Sequence, residues 1–594
     1  MRGSGGALRD PRGLPRARVL EKILSAPAAT VTTARLSAGT LVARRGGALS
    51  RTLLATLLAL VVAAGFGFRA TRLGAEGLSE DELNKLRAVE DYRARGLTAA
   101  NGEHPMLMKA LLTASVVACE AWNGSRLARG HPSLEVPVET ALRLPGVILG
   151  ALTSILIFLV ASELFGTPTA LVAAALWAFD PSAAGFNRVA KEDTFFLFFF
   201  LLASVFWLRS QRAAETGERK PEPYYWASAA AFGAMLASKY LPHLFGIGVS
   251  YYWVFQGVPS TRWRLGKRKW LVFFAVMCAA FVACNPTILL PATWHEMRIF
   301  AGEHRIGHDS YEFLGRLYRN QVTLWLKGSP WYFYYAFMAF KLPVAAVVAS
   351  LVGLLLLFTK RLGDGRYFVL FWLFFWFLPF TVMGGKFTRY FTFALPAVLI
   401  GAAIGVNFAA ERLARLCAGE TARSYAYTFV ALSVTSLSAY ASASAAPHYR
   451  LYTNALGGGT ARAGSYFPHD EFYDATTPEV AAQLARLART GARVASETPE
   501  LFDYYARRAG RDDLVQVSLS DPSAVRELSV GDAVVVARGR RYFSNDATVA
   551  RLEASSRPAA TISLGSTPSA QLFVLDEAAL TSIKGATERP PRSE

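Results

Sequence analysis

Glu80-Asp81-Glu82 sets three carboxylates in a row shortly after a long apolar run. A carboxylate within hydrogen-bond reach of a hydroxyl can take its proton as a general base. Next come Glu103, His104, Pro105 and Lys109, then Arg143, then Arg188 with Asp193, then Lys239, then Lys386-Phe387-Thr388-Arg389-Tyr390. Each cation stands at the end of an apolar run. Arginine clasps a phosphate with two parallel hydrogen bonds, and lysine adds a point charge. A base beside such cations suits displacement of a phosphate leaving group, whose developing charge they stabilise. Snorkelling of long side chains to lipid headgroups is the plainer explanation for one or two of these cations and the competing one for the set.

The elements that must position these groups are membrane helices. The chain has 594 residues, 53% hydrophobic, and a mean hydropathy of +0.27. A bilayer core takes about 20 apolar residues per span. Spans are expected near 52–68, 144–164, 168–185, 194–208, 225–238, 241–256, 270–288, 343–359, 367–383, 391–409 and 425–444, about eleven in all. The net charge of +19 then belongs to cytoplasmic loops and not to nucleic-acid binding. A basic leader over residues 1–51 places the N-terminus in the cytoplasm. Basic clusters around 209–220, 262–269, 360–366 and 412–423 agree with that parity. The charged turns named above then fall on the outer face, where the positive-inside rule expects few cations.

Two long loops, 69–142 and 285–342, also fall outside. An apolar stretch over 105–122 carries Lys109 and Glu120 and reads as an interfacial helix. The aromatic stretch 330–340 reads as interfacial or re-entrant. His304 and His308 are four apart and would share a face if helical, so a divalent metal site is an open alternative there. The four cysteines form no CxxC pair and read as free.

After residue 446 apolar segments shorten and alternate in character. Helices are expected over 478–490, 499–509, 523–528 and 545–554, and strands over 492–497, 514–519, 532–537, 560–564 and 571–575. That alternation predicts a soluble α/β domain over 447–585, outside the membrane, with a disordered tail over 586–594. Phe467-Pro468-His469-Asp470-Glu471 is a further site-like run.

In this order the motifs resemble those of the protein O-mannosyltransferases and the aminoarabinose transferases of lipid A, polytopic glycosyltransferases of the GT-C fold class that use polyprenyl-phosphate sugars. That family's Asp-Glu pair is similar to Asp81-Glu82, and its His-Pro-Pro-Leu-x-Lys element to His104–Lys109. Its Arg-to-Asp turn is similar to Arg188–Asp193, its Ser-Lys turn to Ser238-Lys239, and its late Lys-to-Tyr element to Lys386–Tyr390 followed by Pro396. Met106 replaces the second proline, and the region after 446 does not resemble the repeat domain of eukaryotic relatives.

The resemblance implies inverting transfer of a sugar, mannose or another hexose, from a polyprenyl-phosphate carrier to an acceptor hydroxyl. Asp81 would be the base, with Glu82 beside it. Arg188, Lys239, Arg389, Arg143 and Lys386 would bind the donor phosphate, and His104, Lys109, Asp193 and Tyr390 would support them. The acceptor is expected to be protein Ser/Thr on the outer face of a bacterial inner membrane. A lipid or glycan acceptor, a lipid-linked sugar flippase and a non-catalytic scaffold are the competing readings.

Overall fold

The computed structural model describes residues 50–251, 267–302 and 305–587. All of them belong to one compact unit. Five helices are long and apolar enough to cross a membrane: Arg51–Ala70, Val138–Phe165, Glu192–Thr216, Gly365–Val382 and Leu395–Arg415. A sixth span is the pair Thr167–Ala178 and Pro181–Asn187, bent by 60°. Large apolar side chains such as Leu60, Leu355, Phe374 and Phe429 stand exposed on the bundle. In water that surface would cost about 25 cal/mol per Å², whereas lipid covers it. The chain is a multi-pass membrane protein. Helices Glu222–Leu236, Lys267–Cys284, Val344–Leu356 and Glu420–Ala445 occupy four more of the expected positions, and Phe245–Tyr251 begins another.

The interior is aromatic, with Trp177, Trp207, Trp372 and Trp376 fully buried in one cluster. Two helices meet through small residues. A Cβ on Gly353 would fall 1.7 Å from the Gly401 carbonyl, and one on Gly405 would fall 2.0 Å from the Ala349 carbonyl. Gly401 and Gly405 form a G-x-x-x-G pair that lets Leu395–Arg415 lie against Val344–Leu356. That contact fixes the helix directly following the turn that carries Arg389.

Helix Met106–Asn123 buries Met108, Lys109, Leu112 and Val116, one face at helical spacing. The second long loop holds helix Pro291–Gly302, then the antiparallel hairpin β1 (Arg305–Phe313) and β2 (Arg316–Gln321). His308 therefore lies on a strand; His304, its expected partner, lies outside the described residues. The aromatic helix Phe333–Lys341 follows.

Beyond residue 446 five strands form a mixed sheet: β3 (Arg493–Ser496), β4 (Val515–Ser518), β5 (Ala533–Ala537), β6 (Ala560–Leu564) and β7 (Thr567–Val574), in the order β4-β3-β5-β7-β6. The first three are parallel and the last two join antiparallel. Separate apolar clusters pack against it. Between helix Glu420–Ala445 and this sheet run short turns, then helices Pro468–Phe472 and Thr477–Leu487.

Candidate active site

Ser79 caps helix Glu80–Arg95 through a capping box, its hydroxyl taking the Glu82 N–H while Glu82 Oε2 takes the Ser79 N–H at 3.0 Å. Arg143 then grips Glu82, Nε to Oε1 at 2.8 Å and Nη2 to Oε2 at 2.7 Å. The remaining Arg143 bonds go to the carbonyls of Leu73, Glu76 and Gly77. Glu82 Oε1 also accepts the Ala190 N–H at 2.9 Å. Both side chains are buried and fully engaged, so neither has capacity left for a ligand.

This anchor turns the preceding residue, Asp81, the other way. Its side chain keeps 34% exposure and sits 2.8 Å from Lys191 Nζ. The Tyr473 hydroxyl donates to it as well. Both partners use Oδ2, and among the described residues no bond is made by Oδ1. Burial alone would raise the Asp81 pKa, but the charges of Lys191, Arg389 and Lys85 outweigh it and hold the carboxyl well below its usual range. Burial likewise raises the Tyr473 pKa far above that of a free phenol, reinforced by Asp81, so the hydroxyl stays a donor.

Behind Lys191 lies Glu192, bound by Lys85 at 2.8 Å and 3.5 Å from His104 Nδ1. Burial pushes His104 well below its usual pKa, and Lys85 and Lys191 add to the effect against Glu192, so the imidazole is neutral. Lys109 donates to the carbonyls of Ala100, Asn101 and His104 at 2.9, 2.7 and 3.0 Å. It shapes the loop that presents His104. Burial lowers its pKa to about 7, and Lys85 pushes the same way.

On the other side Lys239 pairs with Asp193 at 2.5 Å, so Asp193 holds Lys239 and not Arg188. The Tyr390 ring contacts two cations, 4.9 Å from Lys239 Nζ and 5.6 Å from the Arg389 guanidinium carbon. Arg389 stacks on Phe387 at 4.0 Å and stands 3.6 Å from Asp470. Its Nη1 is buried with no hydrogen-bond partner, an orphan donor that a native site normally satisfies.

Two other expected phosphate ligands are engaged elsewhere. Arg188 donates to the carbonyls of Arg69, Thr71 and Arg72, closing the end of the first helix. Lys386 is buried against the carbonyls of Ser329 and Met383, and burial lowers its pKa to about 8. His308 Nε2 accepts from Arg540 at 2.8 Å. Among the described residues no group of three or more His, Cys, Asp or Glu is placed to hold a metal.

Lys85, Lys191, Glu192, Tyr473 and Asp470 are gathered here without having been singled out as ligands. Lys191 and Glu192 lie inside the Arg188–Asp193 element, and Asp470 lies in the site-like run after Phe467. Asp470 accepts from the Tyr311 hydroxyl at 2.6 Å and the Thr388 N–H at 2.7 Å. Tyr473 carries no local signal at all.

No curated protein matches the sequence significantly. Among solved structures, the chain is similar to ArnT from Cupriavidus metallidurans bound to undecaprenyl phosphate, at 14% identity and TM-score 0.47, covering 88% of this chain and 98% of that one. It is also similar to the apo oligosaccharyltransferase of Archaeoglobus fulgidus, at 10% identity and TM-score 0.49, covering 82% and 70%. The S. cerevisiae Pmt1-Pmt2 complex bound to its sugar donor aligns at 17% identity and TM-score 0.29, covering 45% and 35%. A family model described as dolichyl-phosphate-mannose-protein mannosyltransferase matches residues 132–288. Arg143, Arg188, Lys191, Glu192, Asp193 and Lys239 lie inside that match; Asp81, Arg389 and Tyr473 lie outside it. The resemblance to polyprenyl-phosphate-sugar-dependent glycosyltransferases read from the motifs is therefore met, over residues 132–288, by the family of the dolichyl-phosphate-mannose-protein mannosyltransferases.

Proposed function

We propose that this protein is a membrane glycosyltransferase moving a sugar from a polyprenyl-phosphate carrier to an acceptor hydroxyl. One observation carries the reading: Asp81 is pinned through one oxygen, while Arg389 beside it keeps an unspent N–H. The acceptor oxygen attacks the anomeric carbon and its proton passes to Asp81 Oδ1. The bond from that carbon to the phosphate oxygen breaks, and its electron pair leaves with the polyprenyl phosphate. Attack opposite the leaving group inverts the anomeric centre. Arg389 and Lys239, both packed against Tyr390, receive the phosphate and stabilise its developing charge. Lys191 holds Asp81 ionised, and neutral His104 borders the sugar.

Glu82, Arg143, Arg188, Lys386 and Lys109 are scaffolding in this reading, because their polar atoms are engaged within the protein. The donor sugar is a hexose, mannose in the first instance. Protein Ser/Thr on the outer face of the membrane is the acceptor, with the sheet-bearing C-terminal region on the same side. The eleven-span arrangement with a cytoplasmic N-terminus brings every residue named here to that face.

Mass spectrometry of exported proteins and lipids tests this, comparing a strain lacking the chain with strains carrying the wild type or Asp81→Asn. Hexose on Ser/Thr peptides should vanish without the chain and stay absent with Asp81→Asn. Unchanged peptides and lipids in the deletion strain refute the assignment, and altered lipids alone move the acceptor to lipid.

A further inference from the structure

Among the contacts between the loop after the first helix and the region beyond residue 446, two fall on adjacent residues on each side. Tyr473 bonds Asp81, and the next residue, Asp474, accepts the Glu80 N–H at 3.2 Å. Both Tyr473 and Asp474 are left-handed, at φ 48° and 61°. They are the one adjacent pair of non-glycine residues in that conformation among the described residues. Such backbone persists only where its surroundings over-determine it, and it gathers at functional sites.

What over-determines it is visible. Arg540, from the turn after β5, clasps the Asp474 carboxylate with Nε, at 2.8 Å, and with Nη2. The same guanidinium reaches Glu80 at 3.0 Å. Arg540 thus ties the sheet, the left-handed pair and the start of helix Glu80–Arg95 together. The clamp thereby fixes the backbone that carries the Tyr473 ring beside Asp81.

We propose that Tyr473 is a positioning residue of the catalytic centre, delivered by the C-terminal region and clamped by Arg540, which holds Asp81 so that Oδ1 faces the acceptor. This rests on the reading of Asp81 as base. Two donors on Oδ2 direct the carboxylate plane and leave one oxygen for the incoming proton. The charged and titratable groups facing Asp81 include Lys191 and Lys85, Arg389, His104, neighbouring Glu80, and Tyr473 itself. Of these only Tyr473 comes from beyond the last membrane helix. The C-terminal region is on this account part of the active site and not only a cover.

Tyr473→Phe keeps the ring and removes one hydroxyl, so the fold is retained; thermal midpoints in detergent verify this. Product formation in the deletion strain should fall roughly ten- to hundredfold, the effect of one hydrogen bond to a charged group. The Asp81 carboxylate, followed by infrared difference spectroscopy against Asp81→Asn, should titrate at higher pH in Tyr473→Phe. A donor to the ionised form lowers a carboxyl pKa, so its loss raises it. Wild-type rate, or a slower rate with an unmoved Asp81 titration, overturns this inference while inactive Asp81→Asn leaves the function standing. Active Asp81→Asn overturns both.

Discussion

Arg143 and Arg389 look alike in the sequence, each an arginine at the end of an apolar run, yet the structure separates them sharply. Removing Arg143 as Arg143→Met deletes both bonds to Glu82 and three to backbone carbonyls. It also strands the buried Glu82 carboxylate. Breaking a buried pair from one side costs about 3–5 kcal/mol. That is a large share of the ~5–15 kcal/mol that holds a typical domain together. Arg389→Met removes a guanidinium whose Nη1 makes no hydrogen bond and stands 3.6 Å from Asp470, with the group stacked on Phe387, so less stability is lost than with the five bonds of Arg143. A lost charge-assisted bond to phosphate costs about 1.5–3 kcal/mol, or roughly ten- to hundredfold in affinity. Thermal midpoints and undecaprenyl phosphate affinity in detergent read the two effects separately. Arg143→Met should lower the midpoint and the folded yield, leaving affinity of the folded fraction within about threefold. Arg389→Met should lower the midpoint by less than Arg143→Met does and lose affinity by about tenfold or more. A stable Arg143→Met that fails to bind, or a normally binding Arg389→Met, refutes the division between scaffold and ligand.

The remaining predictions concern the framework. Gly405→Val should separate the helices Val344–Leu356 and Leu395–Arg415, since its Cβ would meet the Ala349 carbonyl at 2.0 Å; the readout is loss of folded monomer in size-exclusion chromatography. Lys109 titrates at about 7 when folded, below its ordinary 10.5. The unfolded chain therefore binds the extra proton between those values, and stability should rise with pH across that window by on the order of a few kcal/mol. Melting curves should show that rise in the wild type relative to Lys109→Met; parallel curves refute it.

Much of the architecture was legible from local chemistry. Apolar runs marked the membrane helices because a span needs only length and absence of charge. The bend between Thr167–Ala178 and Pro181–Asn187 was hidden within one run, where Asp180-Pro181 restarts the helix. The five strands after residue 446 lie where alternating short elements placed them, because each is a local pattern bounded by turn residues. The order β4-β3-β5-β7-β6 was not legible, because strand neighbours are set by packing.

The same boundary runs through the site. Residue type and order alone determined that carboxylates and cations recur beside apolar runs, which picked out Asp81, Arg389 and Lys239. Only tertiary structure decided which charges are spent. Glu82 and Arg143 consume each other across 61 residues of chain, and Tyr473 reaches Asp81 across 392. A hydrogen bond is satisfied by proximity in space, and nothing in the spacing of a sequence records it.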